Sequence, residues 1–92
     1  PREVRRVGYG AMQLGTGSQP DEDAAITLLR DVVARGVDHL DTAEFYPGVN
    51  ARIRAALHPY ADGLVIATKI GAVEGVGGLR TAQRPEELRA QV

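Results

Sequence analysis

Two stretches decide how this chain folds: Gly36-Val37-Asp38-His39-Leu40-Asp41-Thr42-Ala43 and Gly63-Leu64-Val65-Ile66-Ala67-Thr68-Lys69-Ile70. Each is entered through a glycine, runs through residues that favour strands and carries a charged side chain toward its far end. The run from Leu64 to Ala67 is apolar throughout, as expected of a strand buried on both faces of a sheet. Ahead of the first stretch, Ala25, Leu28, Leu29, Val32 and Val33 follow the i, i+3, i+4, i+7, i+8 spacing of a helix stripe. Pro20 fits the first turn of that helix, Asp21, Glu22 and Asp23 place negative charge at its positive end, and Arg35-Gly36 stops it. Between the two stretches, Asn50 reads as an N-cap for a second helix that buries Ile53, Ala56 and Leu57 and ends at His58-Pro59. Val4 to Leu14 reads as an opening strand running into the loop Gly15-Thr16-Gly17-Ser18. After Ile70 a long loop, Gly71 to Gln83, leads to a third helix opening with Pro85, Glu86 and Glu87. The order β-α-β-α-β-α implies parallel strands joined by right-handed crossovers, hence an α/β fold. Pattern alone leaves open a doubly wound sheet or a (β/α)8 barrel. Gly8-Tyr9-Gly10-Ala11-Met12-Gln13 lacks the third glycine of a dinucleotide fingerprint, which weakens the first option.

Composition narrows the class. Eleven glycines in 92 residues, about 12% against a usual share of roughly 7%, fall without a repeat period and read as special loops. With 11 basic and 12 acidic residues the net charge is -1, so neither nucleic acid nor an anionic membrane is an expected partner. No apolar run approaches the roughly 20 residues of a membrane span, and no signal peptide is visible at Pro1-Arg2-Glu3-Val4. The absence of cysteine excludes disulfide and thiolate chemistry and is compatible with a reducing cytoplasm.

In parallel α/β folds, active sites gather at the C-terminal ends of the strands. Asp41 closes the second strand, Tyr46 lies just beyond it, and Lys69 closes the third. Alternation puts Val37, His39 and Asp41 on one face, and Val65, Ala67 and Lys69 on the matching face of the next strand. Asp41 is then the natural partner for a lysine that would otherwise be an unpaired charge on an apolar strand. A phenol is a poor proton donor near neutrality, and a neighbouring ammonium stabilises the phenolate it leaves. Tyr46 beside Lys69 is thus a candidate general acid to a carbonyl oxygen, with hydride coming from a cofactor because no side chain can supply it. The same residues also suit a structural ion pair and a packed loop tyrosine. His39 reads as a hydrogen-bonded core histidine and His58 as a surface or C-cap group; neither has the spacing of a metal ligand set. The Gly75-Val76-Gly77-Gly78 segment lacks the ending of a phosphate loop and reads as a flexible loop.

Asp41-Thr42-Ala43-Glu44-Phe45-Tyr46 matches the Asp-Thr-Ala-x-x-Tyr signature of the aldo-keto reductases. Ala67-Thr68-Lys69 resembles their catalytic-lysine strand, and Gly8-Tyr9-Gly10-Ala11-Met12-Gln13-Leu14 resembles the opening strand and cofactor loop of a bacterial-type branch. The resemblance runs in order along essentially the whole chain. It implies a (β/α)8 barrel, of which residues 1–92 would form the N-terminal part, the first three or so strands and helices, as a single partial domain. It also implies reduction of aldehydes or ketones to alcohols with NADPH, or NADH, as hydride donor. By the same resemblance Tyr46 is the general acid, Lys69 supports its ionisation, and Asp41 pairs with Lys69 near the nicotinamide ribose. Gly10, Ala11 and Met12 would border the nicotinamide end of the cofactor. An aromatic or pyridoxal-like aldehyde is the implied substrate, and the oligomeric state is open. Some members of the family are accessory subunits of ion channels, so a non-catalytic cofactor-binding module is the alternative. The family's catalytic histidine and its strongest cofactor contacts would lie beyond Val92, and a complete barrel takes about 200 residues or more. Residues 1–92 alone are therefore expected to be inactive, and unstable or self-associating. Three local departures stand out: a short loop between Tyr46 and Asn50, Ala51 where glutamate is common, and Arg84 where serine or aspartate would cap the third helix.

Overall fold

The computed structural model describes residues 3–15, 21–75 and 77–92. Three strands, β1 (Tyr9–Gly10), β2 (His39–Asp41) and β3 (Val65–Ala67), form one parallel sheet in that order. Two crossover helices, α1 (Glu22–Ala34) and α2 (Val49–Leu57), pack on each other beside it. An antiparallel hairpin, β4 (Ala72–Gly75) and β5 (Gly78–Thr81), and a short helix, α3 (Pro85–Ala90), follow. The parallel β/α order read from the sequence is the observed one.

α1 forms because its start and stop are both chemically specified. The Asp21 carboxylate accepts the Ala24 N–H at 2.9 Å, which satisfies one of the unpaired donors of the first turn. At the other end the Gly36 N–H bonds the Val33 carbonyl at 3.0 Å and the Val37 N–H bonds the Val32 carbonyl at 3.3 Å. This is a Schellman motif, and it needs the left-handed Gly36, whose φ is 104°. The buried side of α1 centres on Ala25 and Leu29, while Leu28 of the expected stripe is 37% exposed. α2 begins earlier than Asn50: the chain reverses through a left-handed Gly48, φ 69°, which is the actual N-cap. Pro20 and Thr16-Gly17-Ser18 of the expected first loop lie outside the described residues.

The core lies between one face of the sheet and the two helices: Leu40 from β2 meets Leu14, Ala25, Leu29, Val49 and Ile53, with Ile66 of β3 packed against them. Arg52 is buried among these elements, its guanidinium donating to Glu22 at 2.7 Å and to the Leu14 carbonyl at 3.0 Å. That one side chain joins α2 to α1 and to the short 3-10 turn Met12–Leu14.

Two further expectations are corrected. The opening strand does not run from Val4 to Leu14; only Tyr9 and Gly10 pair with β2. Upstream, the Arg5 N–H is held by both oxygens of Asp38 at 3.0 and 3.2 Å, and this contact, foremost, keeps that carboxyl below its usual range. Downstream, the Leu14 N–H closes a 3-10 turn on the Ala11 carbonyl at 3.0 Å. The expected long loop after β3 is instead mostly a hairpin, because Gly77 and Gly78, with φ of 87° and 126°, supply the conformations a tight reversal needs. Val76 lies outside the described residues.

Candidate active site

The sheet register aligns the C-terminal ends of the strands. Gly10 pairs with Asp41, and Asp41 with Ala67, so three strand ends lie side by side. Backbone bonds extend this alignment: the Ala11 N–H reaches the Asp41 carbonyl at 2.9 Å, the Thr42 N–H the Ala67 carbonyl at 2.8 Å, and the Glu44 N–H the Lys69 carbonyl at 2.9 Å. The segments bearing Asp41 and Lys69 are therefore held together well past the strands themselves.

The side chains meet as the alternation pattern predicts. The Lys69 Nζ donates to Asp41 Oδ1 at 2.6 Å and to the Thr42 carbonyl at 2.7 Å. Both side chains are about half exposed, at 46% and 58%, so solvent weakens the pair and its value lies in placement more than in stability. Two of three ammonium donors are thus directed at fixed acceptors. The Nζ also lies 5.8 Å from the centre of the Tyr46 ring, within reach of a cation–π interaction. The short loop before Asn50 does not carry Tyr46 away from Lys69.

Tyr46 sits in the turn between β2 and α2, its N–H bonded to the Ala43 carbonyl at 3.2 Å. The Phe45 ring meets it edge-on, 5.4 Å between centres at 82°. On one side Tyr46 lines a cleft of about 450 Å³, whose other walls include Pro47, Ala72, Val73 and Ala90. Asp41, Lys69 and Tyr46 are therefore brought together, with the Tyr46 side chain near the cation and also lining the cleft. Tyr9, also on the sheet, is a poor alternative donor, since burial pushes its phenol above the ordinary value.

Gly10 faces open space: a Cβ placed there would meet nothing within 4 Å. Met12 is 60% exposed, whereas Ala11 is fully buried and its N–H is committed to Asp41. Gly10 and Met12 are thus exposed at the strand ends beside the half-exposed Asp41 carboxylate, whereas Ala11 is not. His39 is half-buried with Nδ1 3.3 Å from the Asp38 carboxylate, and His58 caps α2 and packs edge-on against Tyr60.

Sequence reasoning missed three contributors. Thr42 is buried, gives its carbonyl to Lys69 and donates its hydroxyl to Asn50 Oδ1 at 2.8 Å. Asn50 is therefore an anchor for the Asp41-Thr42 segment rather than a helix cap. Arg52 was masked by its polarity, and only its place on the buried side of α2, one residue before Ile53, hints at burial. Third, the hairpin is tied to α3: Arg80 and Arg84 both bond Glu87, and the Gln91 amide grips Gly71 and Ala72. Glu87 also accepts the Gln83 and Arg84 N–H groups, the half of a capping box that runs from the third helical residue back to the N-cap.

The model of the aldo/keto reductase family matches residues 6–92. The chain is 52% identical over 80 residues to pyridoxine 4-dehydrogenase of Escherichia coli, covering 80% of this chain and 28% of that protein. It is 32% identical over 71 residues to an uncharacterized oxidoreductase of Bacillus subtilis, covering 75% of this chain and 22% of that protein. Among solved structures, a putative aldo-keto reductase from Pseudomonas aeruginosa superposes with a TM-score of 0.79 at 25% identity, over 96% of this chain and 34% of that one. The holo form of an aldo-keto reductase from Bacillus halodurans gives 0.70 at 33% identity, over 85% of this chain and 26% of that one. The chain thus spans between about a fifth and a third of the length of each of these proteins. The parallel sheet is accordingly part of a TIM barrel, and the chain belongs to the aldo/keto reductase family.

Proposed function

We propose that these residues form the N-terminal portion of an NADPH-dependent carbonyl reductase, one partial domain of the barrel. The observation that carries the reading is the grouping of Asp41, Lys69 and Tyr46 at the C-terminal ends of adjacent strands. In this reading Tyr46 delivers its phenolic proton to the carbonyl oxygen of an aldehyde or ketone, which becomes the alcohol. Lys69 supplies positive charge beside the phenolate that remains, and Asp41 with the Thr42 carbonyl fixes the ammonium on one side. Gly10, Met12 and Asp41 border the nicotinamide end of the cofactor, which when bound supplies the hydride. The apolar walls beside Tyr46 favour an uncharged organic group next to the carbonyl. The 52% identity to pyridoxine 4-dehydrogenase supports an aromatic, pyridoxal-like aldehyde. NADPH is preferred over NADH on the strength of the family resemblance, and a soluble cytoplasmic enzyme without nucleic-acid or membrane partners is the matching setting.

The test is direct. The complete barrel protein bearing this chain is mixed with NADPH, then with NADH, and a panel of aromatic and aliphatic aldehydes, following the loss of reduced-nicotinamide absorbance. Aldehyde-dependent oxidation with NADPH is expected. Cofactor binding without turnover across the whole panel would instead favour a non-catalytic member of the fold.

A further inference from the structure

We infer that Gln91 and Glu87 are positioning residues that lock the β4–β5 hairpin as a fixed wall of the cleft beside Tyr46, and that this wall sets which carbonyl side groups the enzyme accepts. The inference rests on the reductase reading of Tyr46 and deepens it.

The chain leaves Lys69 and reaches the hairpin through Gly71, a left-handed residue with φ 118°. A backbone in that conformation needs its polar groups occupied if it is to hold one direction. Gln91 at the end of α3 does this with both ends of its amide: Oε1 accepts the Gly71 N–H at 2.9 Å, and Nε2 donates to the Ala72 carbonyl. The Gly71 carbonyl in turn accepts the Ala82 N–H at 2.8 Å, which closes the base of the hairpin over a buried Ala82. Higher up, the Arg80 guanidinium of β5 bonds Glu87 at 2.5 Å, and Arg84 bonds the same carboxylate at 3.1 Å. The hairpin is thus pinned to α3 at its base and along its second strand.

The pinned hairpin faces the loop that carries Tyr46. Ala72 and Val73 line the cleft together with Ala90 and Gln91 of the α3 end and with Phe45, Tyr46 and Pro47 of the loop after β2. A two-stranded hairpin alone is marginal in water, so without the two ties Val73 would have no fixed place. A carbonyl compound that offers its oxygen to Tyr46 would rest its side group against Val73. The wall therefore discriminates by the bulk of that group and leaves the chemistry at Tyr46 unaltered.

The test uses the complete reductase bearing this chain, with benzaldehyde and acetaldehyde as the two substrates. Gln91→Ala removes both amide bonds, and Gln91→Glu keeps the acceptor for Gly71 while losing the donor to Ala72. Gln91→Ala is expected to raise KM for benzaldehyde roughly tenfold, the scale of a lost apolar contact, and to raise the acetaldehyde KM by a clearly smaller factor. Gln91→Glu should fall between Gln91→Ala and wild type. Hydrogen exchange at residues 72–75 and 78–82 should quicken in Gln91→Ala and in Glu87→Gln, with β1 to β3 unaffected. Equal losses for both aldehydes, or unchanged exchange in the hairpin, would overturn the inference. If the wild-type enzyme turns over neither aldehyde, the reductase reading and the specificity claim fall together, and the exchange result still decides whether the clamp exists.

Discussion

Lys69 is the residue on which the site turns, because its ammonium is the point where three separate segments meet. It bonds Asp41 and the Thr42 carbonyl and lies 5.8 Å from the centre of the Tyr46 ring. Lys69→Met keeps the length of the side chain and removes the charge. In the complete enzyme it should lower kcat by at least about 100-fold, the lower range for loss of charge stabilisation or acid catalysis, with cofactor affinity largely kept. Stopped-flow turnover together with a cofactor fluorescence titration separates those effects. Asp41→Asn should cost less, roughly tenfold in kcat, because the Thr42 carbonyl still orients the ammonium and only the counter-charge is lost. The same assays read it out. Asp41 and Lys69 were legible in the sequence because strand alternation and the apolar run around them leave few other arrangements. Thr42 was not, because its contribution to Lys69 is a backbone carbonyl, which no side-chain pattern announces.

At the scale of elements, Arg52 and Glu87 are two charged residues that knit neighbours together. Arg52 is almost fully buried between α1, α2 and the Met12–Leu14 turn. Arg52→Ala would strand the Leu14 carbonyl without a donor and remove the packed stem, costing about 2–4 kcal/mol. Arg52→Lys should rescue little, since one ammonium cannot reproduce the two-directional fork. Urea denaturation of both variants in the complete protein checks this. The Glu87 side chain is only 12% exposed, and its hydrogen bond from Arg80, foremost, lowers its carboxyl from 4.5 to about 2. A depressed carboxyl favours the folded arrangement above its unfolded value and stops doing so as pH falls through the folded one. The tie between hairpin and α3 should therefore hold down to about pH 4.5 and be lost progressively toward pH 2. Chemical shifts of Glu87 followed against pH, compared with hairpin amide protection, test the coincidence. The helices were legible from their stripes and stops, and β2 and β3 from their apolar runs. The hairpin was not, because glycine-rich composition marks a reversal without saying whether strands flank it. The opening strand was overextended because residues 4–14 carry strand-like side chains, yet only Tyr9 and Gly10 pair in register with β2.

At the scale of the whole molecule, three parallel strands in the order β1, β2, β3 leave β1 and β3 each with one side unpaired by β2, and a barrel needs such edges joined. The face that carries His39, Asp41, Val65 and Ala67 has no covering helix among the described residues, whereas Leu40 on the opposite face is fully buried. Unpaired edges of this kind invite association. The 92 residues expressed alone should accordingly sediment as a concentration-dependent mixture and show no aldehyde-dependent oxidation of NADPH. A stable, monomeric sedimentation profile would contradict that expectation. In a complete barrel these same edges would continue into further strands, and on the proposed reading the phenol of Tyr46 would face a drier mouth where a fixed ammonium counts for more. The most direct measurement is a single-turnover comparison of Tyr46→Phe with wild type in that complete protein, with bound NADPH and a saturating aromatic aldehyde. A drop in hydride transfer of about 100-fold or more, with cofactor affinity unchanged, is the predicted result. Hydride transfer at the wild-type rate without the phenolic hydroxyl would contradict it.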